Sequence, residues 1–174
     1  GYYNEVKNKI VAMPTSNQFR WTMMNLGLVK IHGIDVSAQA DWKIRKVGFL
    51  TRATYTYQKA QDKTDAKSNY YGGQIPYIPW HSGTAILGAD YKGWNANYSF
   101  IYTGKRYESS ANIPENYAQP WYTSDFSLSK TVQMKKYSLR FTAEVNNIFD
   151  QQYEVVQCYP MPGTNFKFKI NIML

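Results

Sequence analysis

Apolar and polar residues alternate with a period of two along much of this chain. In the C-terminal segment 166–174 every even position is apolar, with Lys or Asn at positions 167, 169 and 171. The segments Trp94 to Tyr102 and Tyr137 to Val145 show the same alternation, with Ile101 as the one exception. This pattern is typical of β-strands that have one apolar and one polar face. No segment has convincing helical spacing, so we predict an all-β fold.

The same alternation, followed along the whole chain, predicts eight long strands in an antiparallel up-and-down meander. The predicted strands are Tyr2 to Met13, Leu26 to Trp42, Val47 to Tyr57, Gly83 to Tyr91, Trp94 to Tyr102, Tyr122 to Val132, Tyr137 to Ile148 and Asn165 to Leu174. Short connections alternate with long ones, and the long ones are 14–25, 58–82, 103–121 and 149–164. Bacterial outer-membrane barrels have this arrangement, with short periplasmic turns and long extracellular loops. In such a barrel both Gly1 and Leu174 would lie on the periplasmic side.

The second predicted strand changes phase along its length. Val29 and Ile31 are apolar at odd positions, whereas the apolar residues from Ile34 to Trp42 stand at even positions. We expect a β-bulge near Gly33, because a glycine would ease the kink.

Alternation alone does not decide whether the apolar face meets a core or lipid. The opposite face is polar or charged on most strands, with Asp35, Gln39 and Lys167 as examples, as a water-filled or plugged lumen requires. Tyrosine and tryptophan gather near strand ends, where amphipathic rings form the girdles of a membrane barrel. These residues are Trp42, Tyr55, Tyr57, Tyr91, Trp94, Tyr102, Trp121 and Tyr122. Both features favour an apolar face that contacts lipid over one that packs in a core.

The composition excludes several classes of protein. The chain has 174 residues, of which 44% are hydrophobic and 18% charged, and it contains 16 tyrosines. This composition argues against disorder, and the apolar runs are too short for a membrane helix, which needs about 20 apolar residues. The net charge of +8 is scattered, so no basic stripe for nucleic acid emerges. Cys158, His32 and His81 lack metal-ligand spacing, so we expect no metal site and no cofactor.

Four segments resemble TonB-dependent outer-membrane receptors, in the same order along the chain. They are VKIHGIDVSAQADW (29–42), IPYIPWH (75–81), YTGKRY (102–107) and VNNIFDQQYEVVQCYPMPGTNFKFKINIML (145–174). The last is the most specific, and we expect its distinctive residues to be structural. Short polar side chains there would bond to nearby backbone, two prolines remove backbone donors, and Gly163 would permit the φ of a tight turn. The residues are Asn147, Asp150, Tyr153, Tyr159, Pro160, Pro162 and Gly163.

The resemblance implies more than a fold. Barrels of this family have about 22 strands around a plug, so this chain would be the last third of a barrel, without the plug and the TonB-contacting segment. Its partners would be outer-membrane lipid, the remaining barrel strands, the plug and the TonB complex. The complete receptor would bind a scarce solute at the outer face, an iron-siderophore chelate or cobalamin, and take it up with energy from TonB. Strands of such barrels often end on phenylalanine; Leu174 would be a tolerated variant or a slightly trimmed end, and its phase directs it to lipid.

The long loops offer rings and cations that suit a large amphipathic or anionic chelate. The predicted ligand contacts are Tyr70, Tyr71, Trp80, His81, Arg106 and Tyr107. Packing within the loops and the aromatic girdle is the competing interpretation for each of them. The chain has no GxSxG, HExxH or phosphate-loop motif, so we expect no enzyme activity.

Two other interpretations are open at this point. Eight strands can close into a complete small outer-membrane barrel, which would act as an adhesin or a small channel. A soluble β-barrel would instead line a ligand pocket with the alternating apolar residues. A requirement for detergent would separate the soluble barrel from the two membrane barrels.

Overall fold

The computed structural model describes residues 1–14 and 20–173, and most of them lie in strands. The strands are β1 (Tyr2–Pro14), β2 (Trp21–Ile44), β3 (Val47–Asp62), β4 (His81–Tyr91), β5 (Trp94–Thr103), β6 (Arg106–Tyr107), β7 (Tyr117–Ala118), β8 (Trp121–Gln133), β9 (Ser138–Asn146), β10 (Glu154–Val156), β11 (Tyr159–Pro160) and β12 (Asn165–Met173). Eight of them form one sheet in the order β1-β2-β3-β4-β5-β8-β9-β12, and all neighbours are antiparallel. The predicted all-β meander of eight strands is confirmed. Leu174 lies outside the described residues.

The two rims of the sheet differ in the predicted way. Tight turns at 45–46, 92–93 and 134–137 form what we call the short-turn rim. Lys92 and Gly93 both have positive φ, 47° and 78°, as a two-residue hairpin turn of type I′ requires. The loops 63–80, 104–120 and 147–164 form the long-loop rim, where β6 pairs with β7 and β10 pairs with β11 in two small hairpins.

The prediction of a long connection at 14–25 is wrong for the residues of this range that the structure describes. Strand β2 begins at Trp21, and Met24 lies opposite Val11 in the β1–β2 ladder. Backbone pairing continues here although the side chains no longer alternate, so the sequence pattern understates the strand. Strand β1 begins at Tyr2 as predicted. Its position differs from the prediction, because Tyr2 lies opposite Gly33, midway along β2 and away from the short-turn rim. Residues 15–19 of the predicted loop lie outside the described residues.

The register of the ladders brings the predicted apolar positions onto one face of the sheet, which we call the apolar face; the other is the polar face. One row across seven strands contains Trp42, Phe49, Ala89, Ala96, Leu128, Ala143 and Phe168. The polar face carries hydrogen-bonded side chains, such as Arg52 to Gln39 and Thr56 to Asp35. The two faces therefore have the chemistry that a barrel between lipid and a watery lumen requires.

Aromatic residues form two groups on the apolar face. Trp42, Tyr91 and Trp94 lie near the short-turn rim, and Tyr55, Tyr57, Tyr102 and Tyr122 lie near the long-loop rim. The nine residues from Trp94 to Tyr102 span about 26 Å along the strand, close to the height of about 25 Å of a membrane barrel's apolar band. Trp121 was predicted to belong to this girdle, and that prediction is wrong: it pairs with Thr103 on the polar face.

The bulge predicted near Gly33 is also wrong. The pairing of β2 with β3 continues without a shift from Val29 to Ile44. A side chain at Gly33 would collide with the carbonyl oxygen of Tyr57 and with the ring of Tyr2, which lies across the glycine. Gly33 is therefore a point of close approach between neighbouring strands.

The change of phase in β2 comes from a loop that covers the polar face. Val29 and Ile31 point to that face near the long-loop rim, and they pack against Ala60 and Ile75. Val29, Ala60 and Ile75 are 0% exposed. Loop 63–80 thus folds back over the polar face of the sheet. Its Ile75 covers Val29 and Ile31, so apolar side chains are favourable at these two positions of the polar face.

The sheet is open in the described part of the chain: it ends at β1 and β12, and no pairing between these two strands is present. The apolar face is uncovered as well, with Phe168 82% and Ile170 67% exposed. Neither feature fits the closed eight-stranded barrel or the soluble barrel with an apolar interior. Within residues 1–14 and 20–173, no helix is long and apolar enough to cross a membrane.

Candidate functional site

A cavity of about 660 Å³ lies on the polar-face side of the long-loop rim, between loops 104–120 and 147–164. Trp121, the first residue of β8, forms part of its wall together with Tyr153 of the last loop. The two rings stack with centroids 4.4 Å apart and an interplanar angle of 30°. The wall also includes Glu108, Gln119, Gln152 and Glu154. The cavity thus combines an aromatic surface with amide and carboxyl groups.

Burial and charge change the ionisation of the groups around this cavity. Burial raises the pKa of the Glu108 carboxyl above its ordinary value, and the Glu154 carboxylate raises it further, whereas Arg106 lowers it. Burial also raises the pKa of the Tyr153 hydroxyl, with a smaller contribution from Asp125. Glu108 therefore keeps its proton to higher pH than an exposed glutamate does, and a protonated carboxyl can donate a hydrogen bond to a ligand.

Two groups next to this cavity have unused hydrogen-bonding capacity. The indole Nε1 of Trp121 is shielded from solvent and has no acceptor among the described residues. The Glu154 carboxylate accepts a bond from the backbone N–H of Cys158, 2.8 Å away, through one oxygen. A carboxylate has about four acceptor positions, so Glu154 retains capacity for a ligand.

Arg106, one of the predicted ligand contacts, is buried and donates to three backbone carbonyl oxygens. The residue is only 3% exposed to solvent. Nη2 donates to the carbonyl oxygens of Glu154 (2.7 Å) and Val155 (3.2 Å), and Nη1 donates to that of Gln119 (3.3 Å). These bonds join the β6–β7 hairpin to β10, so Arg106 positions the two loops that enclose the cavity. Burial lowers the pKa of its guanidinium, and Glu108 and Tyr77 oppose that effect.

The other predicted contacts lie in different parts of the long-loop rim. Tyr70 and Tyr71 are about half exposed in loop 63–80, and the ammonium of Lys63 lies 4.3 Å from the centre of the Tyr71 ring. Tyr107 meets the Tyr117 ring edge to face, with centroids 5.9 Å apart.

Trp80 and His81 stand where loop 63–80 enters β4. The ammonium of Lys59 lies 5.1 Å from the centre of the Trp80 ring. His81 pairs with Tyr57 on the apolar face, and its Nδ1 lies 2.7 Å from the hydroxyl of Tyr55. His81 therefore lies with the aromatic group near the long-loop rim, on the opposite face of the sheet from the cavity.

Asn147 is the centre of the loop that carries Tyr153. It is 4% exposed with φ 50°, a left-handed conformation that asparagine tolerates. Its side chain accepts from the N–H of Gln151 (2.9 Å) and donates to the carbonyl oxygens of Gln151 (3.0 Å) and Pro162 (3.3 Å). Its backbone N–H donates to Asp125 of β8 at 2.7 Å. Asn147 thus holds both ends of loop 147–164 against the sheet.

Asp150 and Gly163 face each other across the same loop. Asp150 has φ 49°, and its carboxylate accepts from the N–H of Thr164 at 3.0 Å. A side chain at Gly163 would collide with the Asp150 carboxylate. Gly163 does not have the positive φ that was predicted for it. The glycine is needed for space rather than for backbone freedom.

Tyr159 and Pro160 also differ from the prediction of a simple turn. They form β11, in which Pro160 lies opposite Glu154. Proline is tolerated because such a two-residue strand at an edge needs few donors. Pro160 borders the cavity, and Pro162 supplies a carbonyl oxygen to Asn147.

Sequence reasoning missed the polar residues of the cavity wall, above all Glu108 and Glu154. Each is an isolated acid in a long loop, and the hydrogen bonds of Arg106 join the two loops that carry them. One signal was available: Trp121 stands at an odd position next to Tyr122, so one of the two rings must point to the polar face. In the part of the chain that the structure describes, no group of three or more His, Cys, Asp or Glu side chains could hold a metal ion.

Comparison with known proteins gives two findings. Residues 1–148 match the family model described as "TonB dependent receptor-like, beta-barrel". The structure is similar to "The FrpB iron transporter from Neisseria meningitidis (F3-3 variant)", with a TM-score of 0.63 and 14% sequence identity over 97% of this chain and 27% of that chain. At this identity the likeness is one of fold, and the chain spans about a quarter of the transporter's length. Residues 149–174 lie beyond the range that the family model matches.

Proposed function

The chain belongs to the TonB-dependent receptor β-barrel family, whose members are outer-membrane proteins, and from this membership we propose that it is the C-terminal barrel part of a receptor for TonB-dependent uptake. The observation that carries the proposal is the apolar face over seven strands of the sheet, β2 to β5, β8, β9 and β12, bordered by two aromatic groups. A face of this kind is stable in contact with lipid and unstable in water. The remaining barrel strands pair with the open edges at β1 and β12, and the plug fills the space on the polar face.

The long-loop rim lies outside the cell in this proposal, because outer-membrane barrels place their long loops there. The cavity beside Trp121 and Tyr153 then faces the incoming solute. Its volume of about 660 Å³ falls within the roughly 300–1,000 Å³ that is usual for small-molecule sites. Binding there precedes energy-dependent passage beside the plug, for which the TonB complex of the inner membrane supplies the energy.

The solute that we propose is a metal chelate of the iron-siderophore or cobalamin class. Stacked rings and amide side chains suit a large ligand with a planar or carbonyl-rich periphery. The solved relative in fold is an iron transporter, which supports the iron class. Tyr107 belongs to the hairpin beside Glu108. All six predicted contacts of the solute stay predictions: Tyr70, Tyr71, Trp80, His81, Arg106 and Tyr107.

The binding step is tested on cells that express the full-length receptor containing this chain. A ferric hydroxamate, a ferric catecholate, ferric citrate and cyanocobalamin, each radiolabelled on the metal, are added in the cold so that only surface binding is measured. We expect one class to bind above cells without the receptor, and Trp121→Ala to weaken that binding. Trp94→Ala, which changes a tryptophan at the opposite rim, is the matched control. Failure of all four probes to bind above background would contradict the proposed solute class.

A further inference from the structure

Lys130 is a cation on the part of the apolar face that β4, β5, β8, β9 and β12 form, and this part is otherwise uncharged. It lies opposite Trp94 in β5 and Phe141 in β9, near the short-turn rim. Among the described ladder residues of β4, β5, β8, β9 and β12, it is the only lysine or arginine on this face, and no Asp or Glu lies there. An ion of opposite sign stabilises a charged side chain beside lipid, and no carboxylate on these five strands faces Lys130, so its ammonium can take an anion from outside the protein.

The ammonium of Lys130 is held in place with donors left over. Its Nζ donates to the carbonyl oxygen of Lys92 at 2.8 Å and lies 5.0 Å from the centre of the Trp94 ring. A lysine ammonium has three N–H donors, so two remain for an anion. The ammonium of Lys92 lies 5.4 Å from the centre of the neighbouring Tyr91 ring, which adds a second cation and a second ring at this rim.

An open groove of about 460 Å³ begins beside Lys130 and continues along the apolar face. Ala143 is one of its lining residues, and the ladders place it between Leu128 and Phe168. Because alanine is much smaller than these two neighbours, the row has a trough at this position. Lys169 borders the groove too, but its Nζ lies 2.8 Å from Glu144 and is already paired.

A second groove, of about 340 Å³, lies on the other side of strand β8. Ala89 and Ala96 lie in it, in the same row as Leu128 and Ala143. Leu128 therefore forms a ridge between two apolar grooves, and Lys130 stands two residues further along β8 on the same face. The grooves are about 10 Å apart, two strand spacings. A cation at the interface with an apolar groove on each side matches a phosphate group with two acyl chains.

We propose that this surface binds an anionic glycerophospholipid of the leaflet at the short-turn rim. The phosphate accepts hydrogen bonds from Lys130, with Lys92 as a second cation, and an acyl chain lies in the groove over Ala143. Net negative charge favours an anionic headgroup over a zwitterionic one, because the ammonium of a zwitterionic headgroup would be repelled by the two lysines. The lipid would neutralise Lys130 and fix the height of the barrel in the membrane.

The proposal is tested on the purified full-length receptor in detergent by native mass spectrometry with added phosphatidylglycerol or phosphatidylcholine. We expect phosphatidylglycerol to bind more tightly, and Lys130→Gln to weaken it by about fivefold, as the loss of one interfacial lysine contact would. Lys130→Arg should retain binding, Ala143→Phe should lose it by filling the groove, and Lys135→Gln at the same rim is the matched control. Retention of heat-modifiable migration on gels shows that each variant is folded.

Three results would overturn the proposal. Equal binding of the two lipids would indicate ordinary solvation by bilayer lipid. Unchanged binding by both Lys130→Gln and Ala143→Phe would place any lipid elsewhere. A receptor that is dimeric without bound lipid and becomes monomeric in Ala143→Phe would assign the grooves to a contact with a second copy.

Discussion

The ring of Trp121 stacks on the ring of Tyr153 at 4.4 Å between centroids, and this contact joins the sheet to the last long loop. Trp121 begins β8, whereas Tyr153 is separated from the end of β9 by six residues of loop 147–164. The pair forms the aromatic wall of the cavity that we propose for the solute. Its position on the polar face, opposite the lipid-facing Tyr122, distinguishes it from the girdle.

Replacing Tyr153 tests the role of this wall. Tyr153→Ala removes the stacked ring and should weaken solute binding by about fivefold, since an aromatic pair contributes about 1 kcal/mol. Tyr153→Phe keeps the ring and should bind as the unchanged receptor does. Surface binding of the chelate identified above measures both variants, with Tyr91→Ala at the opposite rim as the control. If Tyr153→Ala bound the chelate with the same affinity as the unchanged receptor, the stacked rings would not be part of the binding site.

Asn147 should control the order of the last long loop. Asn147→Ala removes three side-chain hydrogen bonds from a buried position and should cost about 1–3 kcal/mol in unfolding free energy of the loop. Limited proteolysis of the folded receptor would then cut faster within 148–164. Asn147→Gly keeps the positive φ but also lacks the amide, so it should be cut faster as well. Resistance in Asn147→Gly alone would show that backbone conformation, and not the hydrogen bonds, holds the loop.

Gly163 should not tolerate a side chain. In Gly163→Ala the new methyl group would collide with the Asp150 carboxylate, which accepts the N–H of Thr164. We expect destabilisation by about 1–3 kcal/mol, the usual cost of crowding in a packed site. The midpoint of thermal unfolding, followed by gel migration, measures it. Gly48→Ala is the control, because the nearest atom to its new Cβ would be 3.9 Å away. Equal midpoints for the two variants would contradict the predicted collision.

The β6–β7 hairpin should become less stable as the pH rises through the pKa of Glu108. Burial and Glu154 raise this pKa above its ordinary value of 4.5, so the folded hairpin binds a proton more tightly than the unfolded one. The stabilisation is complete below pH 4.5 and is lost as the pH rises through the raised pKa. Amide hydrogen exchange of 106–118, corrected for intrinsic rates, measures the effect. Glu108→Gln should make the opening free energy independent of pH over this range, and an unchanged slope would assign the effect to another group.

The sequence predicted the sheet well because a sheet between lipid and water imposes a strict period of two on its side chains. Trp94 to Tyr102 and 166–173 could be assigned correctly for that reason, including the face of each residue. Two local exceptions were misread. Val29 and Ile31 are apolar on the polar face because Ile75 of a distant loop covers them, and no local pattern indicates such a long-range contact.

The cavity was less predictable than the sheet. Ring and cation content pointed to the rim at which the cavity lies, but composition cannot tell an exposed guanidinium from a buried one. Arg106 is occupied by three backbone carbonyl oxygens of residues 13 to 49 positions away. The same folding brings Glu108 and Glu154 into electrostatic contact, so two acids that are unremarkable in sequence became part of the candidate site.

Energy-dependent accumulation of the radiolabelled chelate tests the proposed uptake most directly. Cells that express the full-length receptor are compared with and without a functional TonB protein, at equal receptor abundance on the surface. Accumulation inside the cell only where TonB is functional, with surface binding equal in both strains, is the expected result. Equal accumulation without TonB would contradict TonB-dependent uptake and would indicate a passive channel.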